Sequence, residues 1–397
     1  MKNILYLSYD GLTDPLGQSQ ILPYIIELSK LGFTFSIISF EKKEAAYSES
    51  EISEQIAPYA IDWYPLSYTK KPPVLATVWD VFRLSKKVQS LLRKKEITLI
   101  HCRSYITSLV GLQMKKKENI PFIFDMRGFW ADERIDGGLW PIGGRIYRVA
   151  KWFEKRFLLS ADSVVSLTNA AVDEMKKFDY LQGRLPNFKV ITTCTDLNLF
   201  DFKKTNINYS SKESFVVGYV GSVGVWYLFD ETLNCFKLIL EKVPSAQLHI
   251  INRGGHQYIR ERLIDKRINP NKVIIETSDH AGVAKAMQSM DVGIFFIKPA
   301  YSKMSSAPTK LGEFLGCGIP CLSNTKVGDM AVILNDEKVG VALDSFDETS
   351  MKLGIEELMT LLNDPEIRER CRSTALKYFS LDIGVRSYNH IYNRLIS

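Results

Sequence analysis

The sequence contains neither a long apolar run nor a spacing that would hold a metal ion. Its apolar stretches, such as residues 292–297, are far shorter than the ~20 residues that a membrane-spanning helix needs. The six cysteines include no CxxC pair, and Cys317 and Cys321 have no histidine or second cysteine pair nearby to complete a zinc set. The five histidines show no HExxH or other ligand spacing. We therefore expect six reduced, buried thiols, no metal ion and no membrane-spanning helix.

The sequence also lacks the features of a secretory signal. Residues 1–7 combine one lysine with a short apolar run and lead directly into Ser8, Tyr9 and Asp10, which is typical of a first strand. The chain has 397 residues, of which 46% are apolar and 24% are charged, a balance typical of globular enzymes. A chain of that length is too long for one ordinary hydrophobic core, so we expect two or three domains. Because we find neither a secretory signal nor a membrane span, we expect a cytoplasmic protein.

Positive charge is concentrated in the first half of the chain. The net charge is +6, and residues 70–117 hold twelve Lys and Arg against two acids, while residues 142–156 hold five against one. After residue 200 the chain carries 24 basic and 23 acidic residues. This distribution predicts a positive face suited to an anionic lipid or ligand. No RNA- or DNA-binding motif accompanies the charge, so we do not expect a nucleic-acid partner.

Short β-rich runs alternate with amphipathic stretches twice along the chain. Strands are predicted at residues 4–8, 33–40, 98–101, 122–125, 163–167 and 190–193, and again at residues 215–220, 247–251, 273–276, 292–297, 320–323 and 339–343. Helices are predicted at residues 19–31, 74–95, 144–159, 168–178, 228–240, 257–267, 282–290, 309–315 and 382–396. Residues 197–214 lose this periodicity and indicate a linker. The alternation predicts two doubly wound α/β domains.

The helix predicted at residues 74–95 has two interpretations. Apolar residues on one side of it are Val78, Val81, Phe82, Val88, Leu91 and Leu92, with basic residues beside them. This pattern is typical of an ordinary helix that packs on a core. Together with the neighbouring basic clusters, it is equally typical of a surface that docks on anionic lipid.

Two glycine-containing loops follow predicted strands, where ligands bind in open α/β sheets. Residues 10–20 open a helix near Gln18, and free backbone N–H groups there would favour an anion; the alternative is a plain tight turn. Residues 218–224 have the spacing GxxGxxG rather than GxGxxG. The next strand ends at Ile251 and Asn252 without an acidic residue to hold a ribose. A nicotinamide-dependent oxidoreductase is therefore disfavoured.

The most informative segment is residues 305–320. Pro308 suits a helix entrance, and Thr309 and Lys310 fall in the first turn. A lysine there opposes the helix dipole, but a bound phosphate would make it favourable. Glu313 lies one turn further along the same face, placed to accept hydrogen bonds from sugar hydroxyls. The alternative is a solvated Lys–Glu pair.

Residues 127–140 contain three carboxylates, two arginines and three aromatic residues directly after a strand. Aromatic rings such as Trp130 stack on sugars, and Asp132 and Glu133 are suited to binding hydroxyl groups. We therefore interpret this loop as an acceptor-recognition element. The structural alternative is a salt-bridged Ω-loop that covers the end of the sheet.

Residues 308–321, Pro-Thr-Lys-Leu-Gly-Glu-Phe-Leu-Gly-Cys-Gly-Ile-Pro-Cys, resemble the donor-binding segment of glycosyltransferase family 4, the retaining group with the GT-B fold. Residues 14–20, 125–130, 161–165 and 388–395 fit the same family in order. The resemblance covers nearly the whole chain. It implies two Rossmann-like domains facing a cleft, an acceptor-binding domain at residues 1–196, a nucleotide-sugar-binding domain at residues 215–378, and a final helix at residues 379–397 that packs back on the first domain.

The resemblance also assigns roles to residues, and it implies no metal and no cofactor. Glu313 is expected to bind the ribose, and Thr309 and Lys310 the diphosphate. The remaining donor-binding positions that it implies, including the base-flanking segment 276–284, are Gly17, Gln18, Gly221, Ser222, Arg253, Ser278, Val283, Ser305 and Ser306. The acceptor-binding positions are Asp125, Arg127, Trp130, Asp132 and Glu133.

The sequence departs from the family pattern at four positions. Ser305 replaces a glutamate that contacts the donor sugar, and Ser222 replaces an arginine. A lysine expected shortly after Ser222 is also absent, and Arg253 in the next loop is placed to supply positive charge. Arg127 falls where the family has an active-site histidine. An arginine cannot act as a base at neutral pH, but it can stabilise an anion or orient a hydroxyl.

We expect a metal-independent, retaining glycosyltransferase that uses a nucleotide-diphosphate sugar, with Arg127, Arg253, Lys310 and Glu313 in the catalytic site. The expected acceptor is a glycan, lipid-linked, in the synthesis of a bacterial-type surface polysaccharide such as lipopolysaccharide O-antigen, capsule or exopolysaccharide. The basic first domain would place the enzyme peripherally on the inner face of the cell membrane. The alternatives are a sugar-nucleotide epimerase on the same fold and a non-catalytic partner subunit.

Overall fold

The computed structural model of the chain describes residues 2–201 and 215–396 and divides it into two units. The first unit is Met1–Thr193 together with Leu381–Ser397, and the second is Cys194–Ser380. Most of the predicted linker, residues 202–214, lies outside the described residues. The start of that predicted linker is described: Leu197 and Phe200 are buried in the core of the second unit.

The first unit contains a seven-stranded sheet in the order β3-β2-β1-β4-β5-β6-β7, in which all pairings are parallel. The strands are β1 (Asn3–Ser8), β2 (Thr34–Glu41), β3 (Ile61–Ser67), β4 (Leu99–Arg103), β5 (Phe122–Asp125), β6 (Ser163–Ser166) and β7 (Phe188–Val190). The central strands are buried on both faces, which is why they are almost continuously apolar. The edge strand β3 was not predicted, because it contains Pro65 and is only partly buried, so it lacks the continuous apolar run of the central strands.

The helices of the first unit cover its sheet and include the last helix of the chain. They are α1 (Pro15–Gln20), α2 (Leu22–Lys30), α3 (Glu49–Ile56), α4 (Pro73–Leu92), α5 (Ser104–Glu118), α6 (Trp130–Asp136), α7 (Arg145–Ser160), α8 (Asn169–Met175) and α16 (Leu381–Ile396). Helix α5 was not predicted, because polar Thr107 and Ser108 are buried in it alongside Val110 and Met114 and blur the apolar period. Helix α16 packs on α2 and β4, as the family resemblance implies.

The second unit contains a six-stranded parallel sheet in the order β10-β9-β8-β11-β12-β13. The strands are β8 (Val216–Val220), β9 (Gln247–Ile251), β10 (Val273–Glu276), β11 (Val292–Ile294), β12 (Cys321–Asn324) and β13 (Gly340–Leu343). The helices are α9 (Phe229–Lys242), α10 (His256–Asp265), α11 (His280–Met287), α12 (Thr309–Gly316), α13 (Met330–Asp336), α14 (Glu348–Leu362) and α15 (Ile367–Phe379). Both units are thus Rossmann-like, and the predicted fold class is confirmed.

Other sequence expectations can be compared with the structure. All six cysteines are buried free thiols. Across residues 2–201 and 215–396, no helix is both long and apolar enough to cross a membrane. The same residues contain no group of three or more His, Cys, Asp or Glu side chains suited to a metal ion.

Helix α4 differs from the prediction in which side chains it buries. The sequence analysis placed Val78, Phe82, Val88 and Leu91 on one side. In the structure Val88 and Leu91 are buried, whereas Val78 is 63% exposed and Phe82 is 47% exposed. The helix therefore has two distinct apolar faces, only one of which packs on the domain.

Candidate active site

Lys310 lies in the first turn of α12, at the carboxyl edge of the second sheet. The side chain is 6% exposed, and its Nζ has no hydrogen-bond partner within the described part of the chain. The ammonium group lies 3.9 Å from the centroid of the Tyr227 ring. Burial lowers the pKa of Lys310 to about 7, although the nearby charge of Glu313 opposes this shift. An anion bound beside Nζ would restore the favourable charged state.

The loop after β8 approaches Lys310 closely. Gly221 has φ +115°, and a Cβ at this position would lie 2.7 Å from Lys310 Nζ. The carbonyl of Gly221 accepts a hydrogen bond from Asn252 Nδ2 at 2.8 Å, and the Tyr219 hydroxyl donates to the carbonyl of exposed Ser222 at 2.6 Å. The backbone here thus needs glycine both for its φ angle and for the space that the lysine occupies.

Asn252, which directly follows β9, joins three loops at this edge. Besides its bond to Gly221, its Oδ1 accepts from the N–H of Gly255 at 2.6 Å, and its carbonyl accepts from Thr277 Oγ1 at 3.1 Å. The neighbouring Arg253 is exposed and donates through Nε to the carbonyl of Ser278 at 3.3 Å. The sequence analysis noted only that Asn252 is not acidic and missed its structural role.

The carboxylate of Glu313, on α12, lies close to the imidazole of His280, on α11. Glu313 Oε1 lies 3.7 Å from His280 Nε2, and the two side chains are 15% and 49% exposed. The interaction with Glu313 raises the pKa of His280, although partial burial opposes it. His280 starts α11 inside the segment predicted to flank the base, and the sequence analysis did not single it out.

The N-terminus of α12 leaves backbone donors available. Pro308 is its N-cap residue, and no described side chain caps the helix there. The N–H groups of the first turn therefore face the position where an anion would meet Lys310. The predicted positions Ser278, Val283, Ser306 and Thr309 are partly buried; Ser278 and Ser306 lie on loops, Val283 lies in α11 and Thr309 begins α12.

Ser305 is buried just before α12, in the short 3₁₀ helix Tyr301–Ser305. Its hydroxyl donates to the carbonyl of Ser302 at 2.6 Å. Beside it, the Lys303 Nζ lies 3.7 Å from the Trp226 ring centroid. The position where the family has a glutamate thus carries a hydroxyl that is bonded to the backbone.

In the first unit, Asp125 ends β5 in a buried polar cluster. Its Oδ2 accepts from the Tyr388 hydroxyl at 3.0 Å and lies 3.3 Å from His101 Nε2, while Oδ1 is 3.9 Å from an Arg127 guanidinium nitrogen. Burial alone would raise the pKa of Asp125, but the charge of Arg127 and the hydrogen bond from His101 hold it below its ordinary value. Burial lowers the pKa of His101 below its ordinary value of 6.5, so the ring is neutral at pH 7. The hydroxyl of Tyr392 lies 2.6 Å from His101 Nδ1.

Two arginines stand at this edge of the first sheet. Arg127 adopts φ +58°, which turns the chain sharply after β5, and its side chain is 10% exposed. Arg103, which ends β4, is 3% exposed and donates through Nε to Asp10 Oδ2 at 3.3 Å. Among the described residues, one terminal nitrogen of Arg103 has no hydrogen-bond partner. The sequence analysis predicted Arg127 but missed Arg103, because the contact with Asp10 spans 93 positions.

The first loop, expected to offer free N–H groups, is occupied by a carboxylate of the protein itself. Glu41 accepts hydrogen bonds from the backbone N–H groups of Leu12 at 3.1 Å and Thr13 at 3.0 Å. Gln18 donates to the carbonyl of Leu12 at 2.9 Å, and a Cβ on Gly17 would overlap the backbone of residues 11 and 12. These contacts correspond to the tight-turn alternative for Leu12 and Thr13.

The carboxylate of Asp132 has partners inside the first unit. It is 6% exposed, and its oxygens accept from the Tyr147 hydroxyl and from Lys151 Nζ, both at 2.9 Å. Lys151 also pairs with buried Glu154, which accepts from the Tyr105 hydroxyl at 2.6 Å. For Asp132 the structure corresponds to the salt-bridged alternative.

Two other side chains of α6 are more exposed than that of Asp132. Trp130 and Glu133 are both partly buried. The Trp130 ring lies 5.6 Å from Tyr105 and 5.1 Å from Trp140, and the Arg134 guanidinium lies 5.4 Å above it. The start of α6, three residues after Arg127, thus carries an aromatic cluster.

Comparison with known families accounts for both units. The model described as Glycosyltransferase Family 4 matches residues 24–196, and the model described as Glycosyl transferases group 1 matches residues 201–378. The chain belongs to glycosyltransferase family 4. It is therefore a glycosyltransferase of the GT-B fold, in a family whose members are retaining enzymes. No functionally curated protein matches the sequence.

Solved structures share this fold over the full length of the chain. A glycosyltransferase from Rickettsia africae matches with a TM-score of 0.73 at 14% identity, covering 100% of this chain and 98% of the other. Anabaena HepE in complex with UDP and glucose matches with a TM-score of 0.67 at 15% identity, covering 98% and 99%. The lipopolysaccharide outer core galactosyltransferase WaaB matches with a TM-score of 0.65 at 12% identity, covering 99% of both chains. At these identities the matches show a common fold.

Proposed function

We propose that this glycosyltransferase transfers a sugar, with retention, from a nucleotide-diphosphate sugar held by the second unit to a glycan acceptor held by the first. The observation that carries the proposal is Lys310, a buried ammonium without a hydrogen-bond partner in the described residues, at the uncapped start of α12. Such a group is costly unless an anion satisfies it. A diphosphate supplies that anion.

The proposed roles in the second unit follow from charge and position. Lys310, the N–H groups at Thr309 and the exposed Arg253 stabilise negative charge as it develops on the leaving diphosphate. Glu313 accepts hydrogen bonds from the ribose hydroxyls, with His280 holding its carboxylate in place. The HepE complex contains UDP and glucose on the same fold, which supports a nucleotide-sugar donor here.

The proposed acceptor site is the polar edge of the first unit. Arg127 orients the attacking hydroxyl or neutralises an anionic group of the acceptor, and Asp125 fixes the arginine. An arginine cannot act as a base at neutral pH, so the general-base role is not assigned to Arg127. In the mechanism that the family resemblance implies, an oxygen of the leaving phosphate accepts the proton of the acceptor hydroxyl.

The proposed acceptor class is a lipid-linked glycan of a bacterial-type surface polysaccharide, at the inner face of the cell membrane. Two features support this proposal. The first half of the chain is strongly basic, and WaaB, whose fold matches, acts on the outer core of lipopolysaccharide. Anionic lipid attracts such a basic surface at about 1 kcal/mol for each lysine or arginine near the bilayer.

The test is turnover in the presence of membrane lipid. The purified enzyme is incubated with radiolabelled nucleotide sugars, with and without lipid extract from polysaccharide-producing bacteria. Transfer of label to the lipid fraction, dependent on both Lys310 and Arg127, is the expected result. Conversion of the nucleotide sugar to another sugar nucleotide without any lipid would instead identify an epimerase, and an absence of both reactions would contradict the proposal.

A further inference from the structure

Helix α4 presents an unusually apolar face to solvent over its first half. Its exposed residues include Leu75, 68% exposed, and Val78, 63% exposed. The others are Val74, Trp79 and Phe82, each at least 47% exposed. These positions fall on one side of the helix, and the Trp79 and Phe82 rings stack with centroids 5.6 Å apart. They form a continuous apolar strip.

The helix cannot hide this strip by rotating. Asp80, on the opposite face, is fully buried and accepts hydrogen bonds from the Tyr9 hydroxyl at 3.0 Å and from the N–H of Thr69 at 3.1 Å. Arg83 also bonds to Asp80. Turning Val78 inward would withdraw this buried carboxylate from Tyr9 and Thr69, which lie outside the helix, at a high cost in free energy.

A second apolar strip lies on and just before α7. Ile142 is 90% exposed, and Val149 is 55% exposed. Leu139, Ile146 and Trp152 are also exposed. The inward face of α7 is fixed as firmly as that of α4, because Tyr147, Lys151 and Glu154 form the buried network with Asp132 described above.

Both strips lie toward the same edge of the first unit. Helix α4 follows the parallel strand β3, and α7 leads directly into the parallel strand β6, so the first halves of both helices lie toward the carboxyl edge of the sheet. Helix α5 packs against both of them. At the same edge, Arg103 and Asp125 end β4 and β5, and Asp10 and Arg127 lie two residues beyond the ends of β1 and β5. The two strips and the proposed acceptor site therefore lie toward the same edge of the first unit.

The two segments that carry the strips are rich in basic residues. Residues 68–87 and 139–156 contain only two acids, Asp80 and Glu154, and both are 0% exposed. The basic residues in these segments are Lys70, Lys71, Arg83, Lys86, Lys87, Arg145, Arg148, Lys151, Lys155 and Arg156. Two of them lie on aromatic residues of the strips: Lys86 Nζ is 4.5 Å from the Phe82 ring centroid, and the Arg156 guanidinium is 3.6 Å from that of Trp152.

We propose that these two strips, named here the docking surface, insert into the interfacial layer of an anionic lipid bilayer. The docking surface consists of Val74, Leu75, Val78, Trp79, Phe82, Leu139, Ile142, Ile146, Val149 and Trp152. Apolar residues and tryptophans flanked by lysine and arginine are the composition of interfacial membrane helices. The inference rests on the proposed function, since a lipid-linked acceptor requires the acceptor site to reach the bilayer.

A bilayer fits these strips better than a folded partner does. The apolar residues project from α4, from α7 and from the segment just before α7, and α5 packs between the two helices, so the strips are two separate projections. A fluid lipid layer adapts to two separate projections. Its anionic headgroups also complement the basic residues beside both strips.

The experiment is vesicle flotation of the full chain with phosphatidylcholine vesicles and with vesicles containing about 30% phosphatidylglycerol, a composition that supplies an anionic surface. The wild type is expected to bind the anionic vesicles. Two double variants remove one strip each: W79S with F82S, and I142S with W152S. Each is expected to bind at least about tenfold more weakly, because binding strength increases with the apolar area that is buried in the bilayer.

The matched control replaces exposed apolar residues of the second unit. Ile264 is 72% exposed and Leu353 is 61% exposed, so I264S with L353S removes similar apolar area elsewhere. This control, and a K310Q variant of the donor site, are expected to bind vesicles like the wild type. Raising the salt concentration should weaken binding without abolishing it, since insertion is not screened.

Three results would contradict the proposal that the docking surface inserts into a bilayer. They are no binding of the wild type to anionic vesicles, equal binding by the strip variants and the I264S/L353S control, and a wild-type dimer in solution that the strip variants dissociate. Nucleotide-sugar binding, followed separately by thermal shift, distinguishes the two proposals. If it persists while vesicle binding fails, the docking surface is wrong and the proposed donor site stands; the reverse result contradicts the donor site alone.

Discussion

The hydroxyl of Tyr388, in the last helix of the chain, donates a hydrogen bond to Asp125 Oδ2 at 3.0 Å across 263 positions of sequence. Both side chains are buried, and the same oxygen lies 3.3 Å from His101 Nε2. This hydrogen bond joins the last helix, α16, to the end of β5, two residues before Arg127. This contact couples the packing of the chain terminus to the geometry of the proposed acceptor site.

Replacing Tyr388 with phenylalanine removes this hydrogen bond and leaves a buried carboxylate less satisfied. The expected loss of stability is about 1–3 kcal/mol, measured by chemical denaturation. Tyr378→Phe is the matched control, because Tyr378 donates to Glu337, which is only partly buried. An equal loss of unfolding free energy in both variants would show that the buried hydrogen bond stabilises the protein no more than the partly exposed one.

Acid should destabilise the protein through His101. Burial holds its folded-state pKa below the ordinary value of 6.5, so below that pH the unfolded chain binds more protons than the folded one. Stability is therefore present above about pH 6.5 and is lost as the pH falls, with a slope of up to about 1.4 kcal/mol per pH unit. His101→Asn should flatten the stability profile between pH 7 and pH 5. An unchanged slope in this variant would assign the acid sensitivity to other groups.

Donor affinity should weaken above neutral pH because of Lys310. Its pKa is about 7 in the free enzyme, and a bound diphosphate would raise it, so binding above pH 7 requires proton uptake. The dissociation constant should rise by up to about tenfold per pH unit between pH 7 and pH 9 in calorimetric titrations. Lys310→Arg keeps its charge throughout this range, and any binding that it retains should show a flat profile. A flat profile in the wild type would contradict contact between Lys310 and the phosphates.

Gly221 should be intolerant of even a methyl group. A Cβ there would lie 2.7 Å from Lys310 Nζ, and the φ of +115° is strained for any other residue. Gly221→Ala is therefore expected to lower donor affinity by at least about tenfold, since the lysine must move. Gly224→Ala, in the same loop, meets no described atom within 4 Å of its Cβ and should bind like the wild type.

The sequence predicted those features whose residues lie close together along the chain. Lys310 and Glu313 are on one short helix, so their shared face follows from helical spacing alone. The contacts of Arg103 with Asp10, and of Tyr388 with Asp125, join residues far apart, and no local pattern reveals them. Pairing of this kind requires the strand order of the sheet.

Helix α4 shows a different limit. Apolar residues at helical spacing indicate a face, but they do not show whether the domain or the solvent covers it. The buried Asp80 decides which face of α4 turns inward, and its partners Tyr9 and Thr69 come from other segments. The side-chain network, rather than the apolar period, therefore determines that Val78 and Phe82 are exposed.

The central claim, that the second unit binds a nucleotide-diphosphate sugar through Lys310 and Glu313, is tested most directly by thermal shift. The wild type, Lys310→Gln and Glu313→Gln are each measured with UDP-, GDP-, dTDP- and CMP-sugars, and with NAD and NADP. The account predicts that one class of nucleotide sugar stabilises the wild type, by about 2.7 kcal/mol at 100 times its dissociation constant, and that both variants lose most of this effect. Equal stabilisation of the wild type and both variants, or stabilisation by NAD or NADP alone, would contradict it.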